Sequence, residues 1–194
     1  MTEQKLPAFE AALKHTLAFE GGYVNDPKDS GGETFRGVSR RSFPGWFGWK
    51  LIDQAKADGL KSADAINQRF AGNAQMAELV SDLYFLSFWR AFNRLEGFER
   101  LRVKLFDTAV NTGIGRSVKL LQESINLITP PAELKVDGGF GPKTRAALEG
   151  LDERNILFRY VSLQEAFYRG IVERKPSQQK YLNGWLKRAA WMPE

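Results

Sequence analysis

The sequence predicts a mainly α protein (α+β), a helical body with one small β-bearing lobe near its N-terminus. Three observations lead there. Apolar residues recur at helical spacing through most of the chain after residue 48. One stretch, 21–48, is instead rich in Gly, Pro, Asp and Ser and contains the β-prone run Thr34-Phe35-Arg36-Gly37-Val38-Ser39. No internal repeat, low-complexity tract or long linker interrupts the 194 residues.

In chain order, Phe9, Ala12, Leu13, Thr16, Leu17 and Phe19 fall near helical spacing. This helix should end at Glu20, because Gly21-Gly22 is a strong stop. An irregular hairpin or small sheet follows. Further helices are predicted over 49–58, 62–70, 73–90, 99–112, 115–127, 142–149, 152–174 and 178–190. Ser62 and Thr144 suit early-helix or capping positions, and Pro142 suits a first helical turn. Gly113 and Gly115 should bracket a tight connection between two helices.

Composition narrows the chemistry. The apolar fraction of 43% supports a sizeable core in one domain, or in two small lobes sharing a core. There is no cysteine, so neither a disulfide framework nor thiolate chemistry is available. The single histidine, His15, cannot build a multi-histidine metal site, and no cofactor or metal is expected. It also leaves a Ser-His-Asp triad only one candidate base, and a surface or half-buried position suits it better. No apolar run is long enough to span a membrane, and residues 1–10 have no signal-like apolar region. The net charge is +5, which suits an anionic partner such as nucleic acid, acidic lipid or cell wall. Within 169–190, Arg169, Arg174, Lys175, Lys180, Lys187 and Arg188 stand against Glu173 alone. That run reads either as a solvated helix face or as a contact with an anionic envelope polymer or lipid headgroups.

The stretch from Glu20 to Thr34 carries the chemistry. A carboxylate, Glu20, ends an apolar helix, and a glycine-rich loop follows with Asp26, Asp29 and then Thr34. Hydrolysis of a glycosidic bond needs an acid for the leaving oxygen and a second polar group to place water or stabilise the oxocarbenium-like centre. A carboxyl set against apolar side chains holds its proton to higher pH, because its charged form loses solvation. A glutamate beyond Leu13, Leu17 and Phe19 is placed for that. Asp29 and Thr34 lie nine and fourteen residues further on, where a loop turning back over the helix end brings them opposite Glu20. Asp26-Pro27 and Asp29-Ser30-Gly31 are equally ordinary turn sequences, so on chemistry alone both readings stand.

The run Glu20-Gly21-Gly22-Tyr23, Asn25-Asp26-Pro27, Asp29, Gly31-Gly32, Thr34 and Gly37-Val38-Ser39 closely resembles glycoside hydrolase family 108, a muramidase family with a lysozyme-like fold. A second match combines Phe106-Asp107-Thr108-Ala109-Val110-Asn111-Thr112-Gly113 with Val136-Asp137-Gly138-Gly139-Phe140-Gly141-Pro142-Lys143-Thr144. It resembles the peptidoglycan-binding region that accompanies that family. The resemblance implies a muramidase catalytic region with its β-hairpin lobe over 1–100 and a peptidoglycan-binding-like region over 101–194, packed as one globular unit. It implies cleavage of the β-1,4 bond between N-acetylmuramic acid and N-acetylglucosamine. The general acid maps onto Glu20, and the Glu-Asp-Thr order of phage-type lysozymes maps onto Glu20, Asp29 and Thr34. The chain departs from the family after Thr34, where Phe35-Arg36 brings a positive charge toward the site.

Other residues have two readings each. Asp26 is the rival second carboxylate, or a brace for the loop in Asn-Asp-Pro. Glu33 is expected as exposed surface charge. Tyr23, Trp46 and Trp49 either stack on sugar rings or pack the β lobe. Tyr84, Phe85, Phe88 and Trp89 should be core. Asn111 either bonds an acetamido group of the substrate or caps a helix end. Asp137 and Thr144 should fix a loop-to-helix turn.

The expected protein is a monomeric phage or prophage endolysin of a Gram-negative host. It would be made in the cytoplasm and act in the periplasm on peptidoglycan after release by a holin, or alternatively serve a secretion system. A lytic transglycosylase and a non-catalytic wall-binding module are the competing functions. A nucleic-acid partner is not expected, since no recognition motif accompanies the basic charge. Leu182, Trp185, Leu186 and Ala189 form an apolar stripe that either meets outer-membrane lipid or docks on the body.

Overall fold

A computed structural model describes residues 7–25, 32–131 and 134–193. The fold is mainly α and lysozyme-like, with a small antiparallel β lobe, as expected. The chain divides into two compact units, Met1–Ser87 and Phe88–Glu194. No described helix is long and apolar enough to cross a membrane.

The first unit begins with helix α1 (Pro7–Leu17), which buries Phe9, Ala12, Leu13 and Thr16. Strands β1 (Tyr23–Asn25), β2 (Glu33–Phe35) and β3 (Val38–Ser39) form an antiparallel sheet in sequence order. The register pairs Tyr23 with Phe35, Val24 with Thr34, and Phe35 with Val38. Helices α2 (Gly48–Ala57), α3 (Ala63–Phe70) and α4 (Ala74–Ser87) complete it. Ser62 caps α3 by accepting from the Ala65 amide, as its position predicts. Phe9 meets Phe85 edge-on at 5.1 Å and joins α1 to α4, while Phe35 meets Phe70 edge-on at 6.0 Å and joins the sheet to α3.

The second unit contains α5 (Glu99–Thr112), α6 (Ile114–Ile128), α7 (Pro142–Ala146), α8 (Glu153–Arg174) and α9 (Gln179–Ala190), with 3-10 turns at Trp89–Phe92 and Pro176–Gln178. Gly113 alone makes the α5–α6 connection, at φ 86°, and Gly115 lies inside α6 rather than flanking the turn. Pro142 opens α7 as predicted. The Ser117 hydroxyl donates to the Leu105 carbonyl and sits 3.0 Å from the Tyr160 hydroxyl, so one buried serine ties α6 to both α5 and α8.

Helix α5 also buries charge. Arg188 of α9 pairs with Asp107 through Nε and Nη2, with contacts of 2.9–3.1 Å, and both side chains are almost fully buried. Lys104 is fully buried, and its Nζ donates to the carbonyls of Ala189 at 2.6 Å and Trp191 at 2.8 Å. It thereby caps the C-terminal end of α9. Burial pushes Lys104 down to about 8. The apolar stripe of α9 therefore docks: Ala189 is buried, and Trp185 stacks on Tyr168 of α8 at 5.4 Å. Of the six basic residues in this segment, Arg188 is a core ion-pair partner and not surface charge. The other five are exposed, so the reading of the run as surface charge is corrected at Arg188 alone.

Arg188→Met leaves the Asp107 carboxylate buried without its partner. We expect a loss of about 3–5 kcal/mol in unfolding free energy, read by urea denaturation at neutral pH. A loss below about 1 kcal/mol, the range of an exposed pair, would show that the pair does not anchor α9.

Candidate active site

The end of α1 places Glu20. The α-helix stops at Leu17, three residues earlier than the glycine stop suggests, and tightened turns carry the chain onward. Ala18, Phe19 and Glu20 donate to the carbonyls of His15, Thr16 and Leu17. Glu20 is half-buried there.

The β2–β3 turn meets this carboxylate. Arg36 and Gly37 connect the strands at φ 46° and 77°, the positive-φ pair that a two-residue hairpin turn requires. A Cβ on Gly37 would lie 2.8 Å from Oε2 of Glu20 and would overlap the Tyr84 hydroxyl. Glycine at 37 thus serves both the turn and the close approach of the carboxylate. The Tyr84 hydroxyl donates to the Arg36 carbonyl at 2.9 Å, and the Arg36 amide donates to Gly22 at 3.2 Å. The Arg36 guanidinium lies over the Phe35 ring at 5.5 Å. Glu20, Gly37 and Tyr84 therefore converge from α1, the turn and α4.

Thr34 lies on β2, half-buried, between Val24 and Ser39. Strand alternation puts Glu33 and Phe35 on the other face. Glu33 is not the exposed charge the sequence suggests: its side chain is 12% exposed. It accepts from the Tyr23 hydroxyl at 2.7 Å, and pairs with Lys56 and with Arg40. Arg40 also grips Asp53 through two bonds of 2.6 and 3.0 Å and lies 4.4 Å over the Trp49 ring. Burial raises the Glu33 carboxyl, but hydrogen bonds from Lys56, Tyr23 and Arg40 outweigh it and hold the group below its ordinary value.

Asp26 and Asp29 lie outside the described residues. Tyr23 is only 4% exposed, so it fills the packing role and its ring is not open to a sugar. Trp46 is half-buried, donates to the Leu79 carbonyl at 3.0 Å and stacks beside Phe35 at 6.3 Å, which is again packing of the lobe. Trp49 is buried at 2%. Asn111 is exposed, in the last turn of α5, and its side-chain oxygen accepts from the Tyr168 hydroxyl at 2.7 Å. It is therefore a tie between α5 and α8 and not a helix cap. Asp137 and Thr144 fix their turn as expected, both bonded to the buried Gln122 of α6.

Sequence reasoning missed three residues here. Tyr84 reads as core from its spacing and is core, yet its hydroxyl lies at the site. Asn67 of α3 accepts from the Tyr23 amide at 2.6 Å and so fixes the chain just after Glu20. Its partner is 44 residues away, and no local signal marks it. Glu33 was legible from alternation with Phe35, which places it inward.

Comparison with known proteins adds the family. Residues 13–113 match the family model described as "Glycosyl hydrolase 108", and residues 116–190 match "Predicted Peptidoglycan domain". No curated protein matches. Among solved structures, SagA of Brucella abortus is similar, at 23% identity and a TM-score of 0.61. The alignment covers 94% of this chain and 89% of SagA, and it shows a shared fold.

Two outcomes test this geometry. Gly37→Ala forces a side chain into a positive-φ turn against Glu20, so thermal denaturation should show a loss of about 1–2 kcal/mol or more. An unchanged midpoint would mean that the carboxylate does not occupy that space. Glu33, held below its ordinary value near 4.5, contributes stability above that pH. That contribution fades as pH falls through the lowered value. Denaturation midpoints from about pH 6 to pH 3 should therefore fall less steeply in Glu33→Gln than in the wild type, and parallel curves would remove Glu33 from the acid response.

Proposed function

Because the chain belongs to the glycosyl hydrolase 108 family, we propose that it cleaves the β-1,4 bond between N-acetylmuramic acid and N-acetylglucosamine. The family makes it a glycoside hydrolase, and the accompanying peptidoglycan domain makes peptidoglycan its polymer. In our reading Glu20 is the general acid, and Asp29 with Thr34 holds the water.

One observation carries the reading: the half-buried Glu20 carboxylate is set against the Gly37 backbone and the Tyr84 hydroxyl. A general acid must present its proton to the leaving oxygen from one fixed position. Glu20 has the support for this. Its backbone is held by the turn from Leu17, and the chain after it is held by Asn67. Gly37 adds no side chain in front of it. The three strongly bonded carboxylates Glu33, Asp53 and Asp107 are occupied by Lys and Arg partners, which fits them to scaffolding. Thr34 lies on the face of β2 opposite Glu33, so it is free of that ionic cluster.

Glu20→Gln should lower turbidity clearing of permeabilised cells by roughly 100-fold or more with an unchanged melting midpoint. Activity like the wild type would overturn the assignment. Mass spectrometry of released muropeptides should show reducing-end products. 1,6-Anhydro products would make the protein a lytic transglycosylase instead. Asp29→Ala should lose far more activity than Asp26→Ala, and the opposite order would give the water to Asp26. A lysis role in a phage or prophage, with release to the periplasm, is part of the proposal. A holin gene beside this one supports it, and secretion genes there would favour the secretion role.

A further inference from the structure

The α6–α7 loop has a shape that the turn alone does not account for. Gln122 is 1% exposed, and its Nε2 lies 3.0 Å from Oδ1 of Asp137, 3.2 Å from the Gly139 carbonyl and 3.1 Å from the Thr144 hydroxyl. Its Oε1 accepts from the Gly138 amide at 2.9 Å. Gly138, at φ 82°, lies so close to α6 that a Cβ would sit 2.8 Å from the Gly115 carbonyl oxygen. One buried amide thus holds the loop rigidly against the helix, with every group of that amide engaged.

The loop so held borders an open pocket of about 600 Å³, lined among others by Lys135, Asp137, Phe140, Pro142, Lys143 and Thr144. That size lies within the range of small-molecule sites. Phe140 is half-buried and meets Phe92 edge-on at 6.0 Å, which fixes it as an apolar wall. Lys135 and Lys143 are exposed, and neither side chain makes an ion pair or hydrogen bond among the described residues, although, after the Gln122 bond, the charge of Lys135 helps to hold the Asp137 carboxyl below its ordinary value. Asp137 gives Oδ1 to Gln122 and to the Gly139 amide. Two cations and one carboxylate leave the lining net positive.

We propose that this pocket binds the acidic stem peptide of peptidoglycan and not its glycan. The inference rests on peptidoglycan as the polymer. Within that polymer the linked sugars are neutral, and the carboxylates belong to the peptides. Lys135 and Lys143 supply the charge for those carboxylates, Asp137 meets an amine or amide N–H of the same peptide, and Phe140 with Pro142 covers its short apolar side chains.

The test uses the full chain and two binding probes: stem peptide freed from sacculi by an amidase, and an uncharged N-acetylglucosamine oligosaccharide as the glycan, because the amidase leaves a lactyl carboxylate on each muramic acid it strips. The peptide should shift the backbone NMR signals of 134–144, and the glycan should leave those signals in place. Lys135→Glu with Lys143→Glu should weaken peptide binding roughly tenfold, and added salt should weaken binding to the wild type. The corresponding Lys→Gln pair repeats the measurement if the charge-reversed protein does not fold. Peptide binding that persists in a folded variant, absence of peptide binding to the wild type, or glycan shifts at 134–144 would overturn the proposal. Cleavage of peptide-free glycan by the wild type tests the hydrolase separately: cleavage without peptide binding sinks only the pocket, and binding without cleavage sinks only the hydrolase.

Discussion

Glu20 and Tyr84 crowd the point where any side chain at residue 37 would begin. This exclusion organises the first unit. The β2–β3 turn needs positive φ at both central residues, and Arg36 adopts it at 46° although it has a Cβ. Such a conformation costs on the order of 1–2 kcal/mol. The Tyr84 hydroxyl on the Arg36 carbonyl offsets it, as does burial of the flanking Phe35 and Val38. Moving the turn outward would relieve the crowding and lose the Tyr84 bond. Moving it inward would displace the carboxylate. The end of α1, the sheet and α4 are therefore fixed relative to one another at a carboxyl group.

Each unit handles charge by close partnering, at different depths. In the first, Glu33 is shielded but shares its oxygens with Lys56, Tyr23 and Arg40, while Asp53 at the outer end is 53% exposed and largely screened. In the second, Asp107 and Arg188 are buried together, with Lys104 nearby on the carbonyls that end α9. Removing one partner from the buried set strands the other in a medium that does not solvate it. The outer set tolerates change better because water replaces a lost partner. Rigidity is thus concentrated where α9 joins α5, in a helix whose polar face alone suggests a surface role.

Helix positions after residue 48 were legible because local periodicity and caps agreed: Ser62, Pro142 and the stop before Gly113 all stand as read. The sheet was legible as a turn-rich lobe, and its register was not, since pairing Tyr23 with Phe35 depends on the intervening loop. Glu20 was legible from the carboxylate-before-glycine pattern. Its neighbour Tyr84 was not, because a tyrosine at a core spacing shows nothing of where its hydroxyl ends. Arg188 read as part of a surface run because charge usually lies at the surface, and its partner Asp107, 81 residues away, leaves no local trace.

The two stretches that resemble wall-active proteins are built mostly of residues that shape the fold. In the 106–113 stretch, Asp107 pairs with Arg188, Thr108 donates back to Lys104, and Asn111 holds Tyr168. In the 136–144 stretch, Asp137, Gly138, Gly139 and Thr144 all close on Gln122. A motif held by such constraints marks an architecture, because each member fails if another changes. Residues that touch ligand answer to a different requirement: they must keep an unspent charge or hydrogen-bonding group in reach of solvent. In the second unit that reach belongs to Lys135 and Lys143, whose side chains stand beside the motif's structural members and share none of their hydrogen bonds.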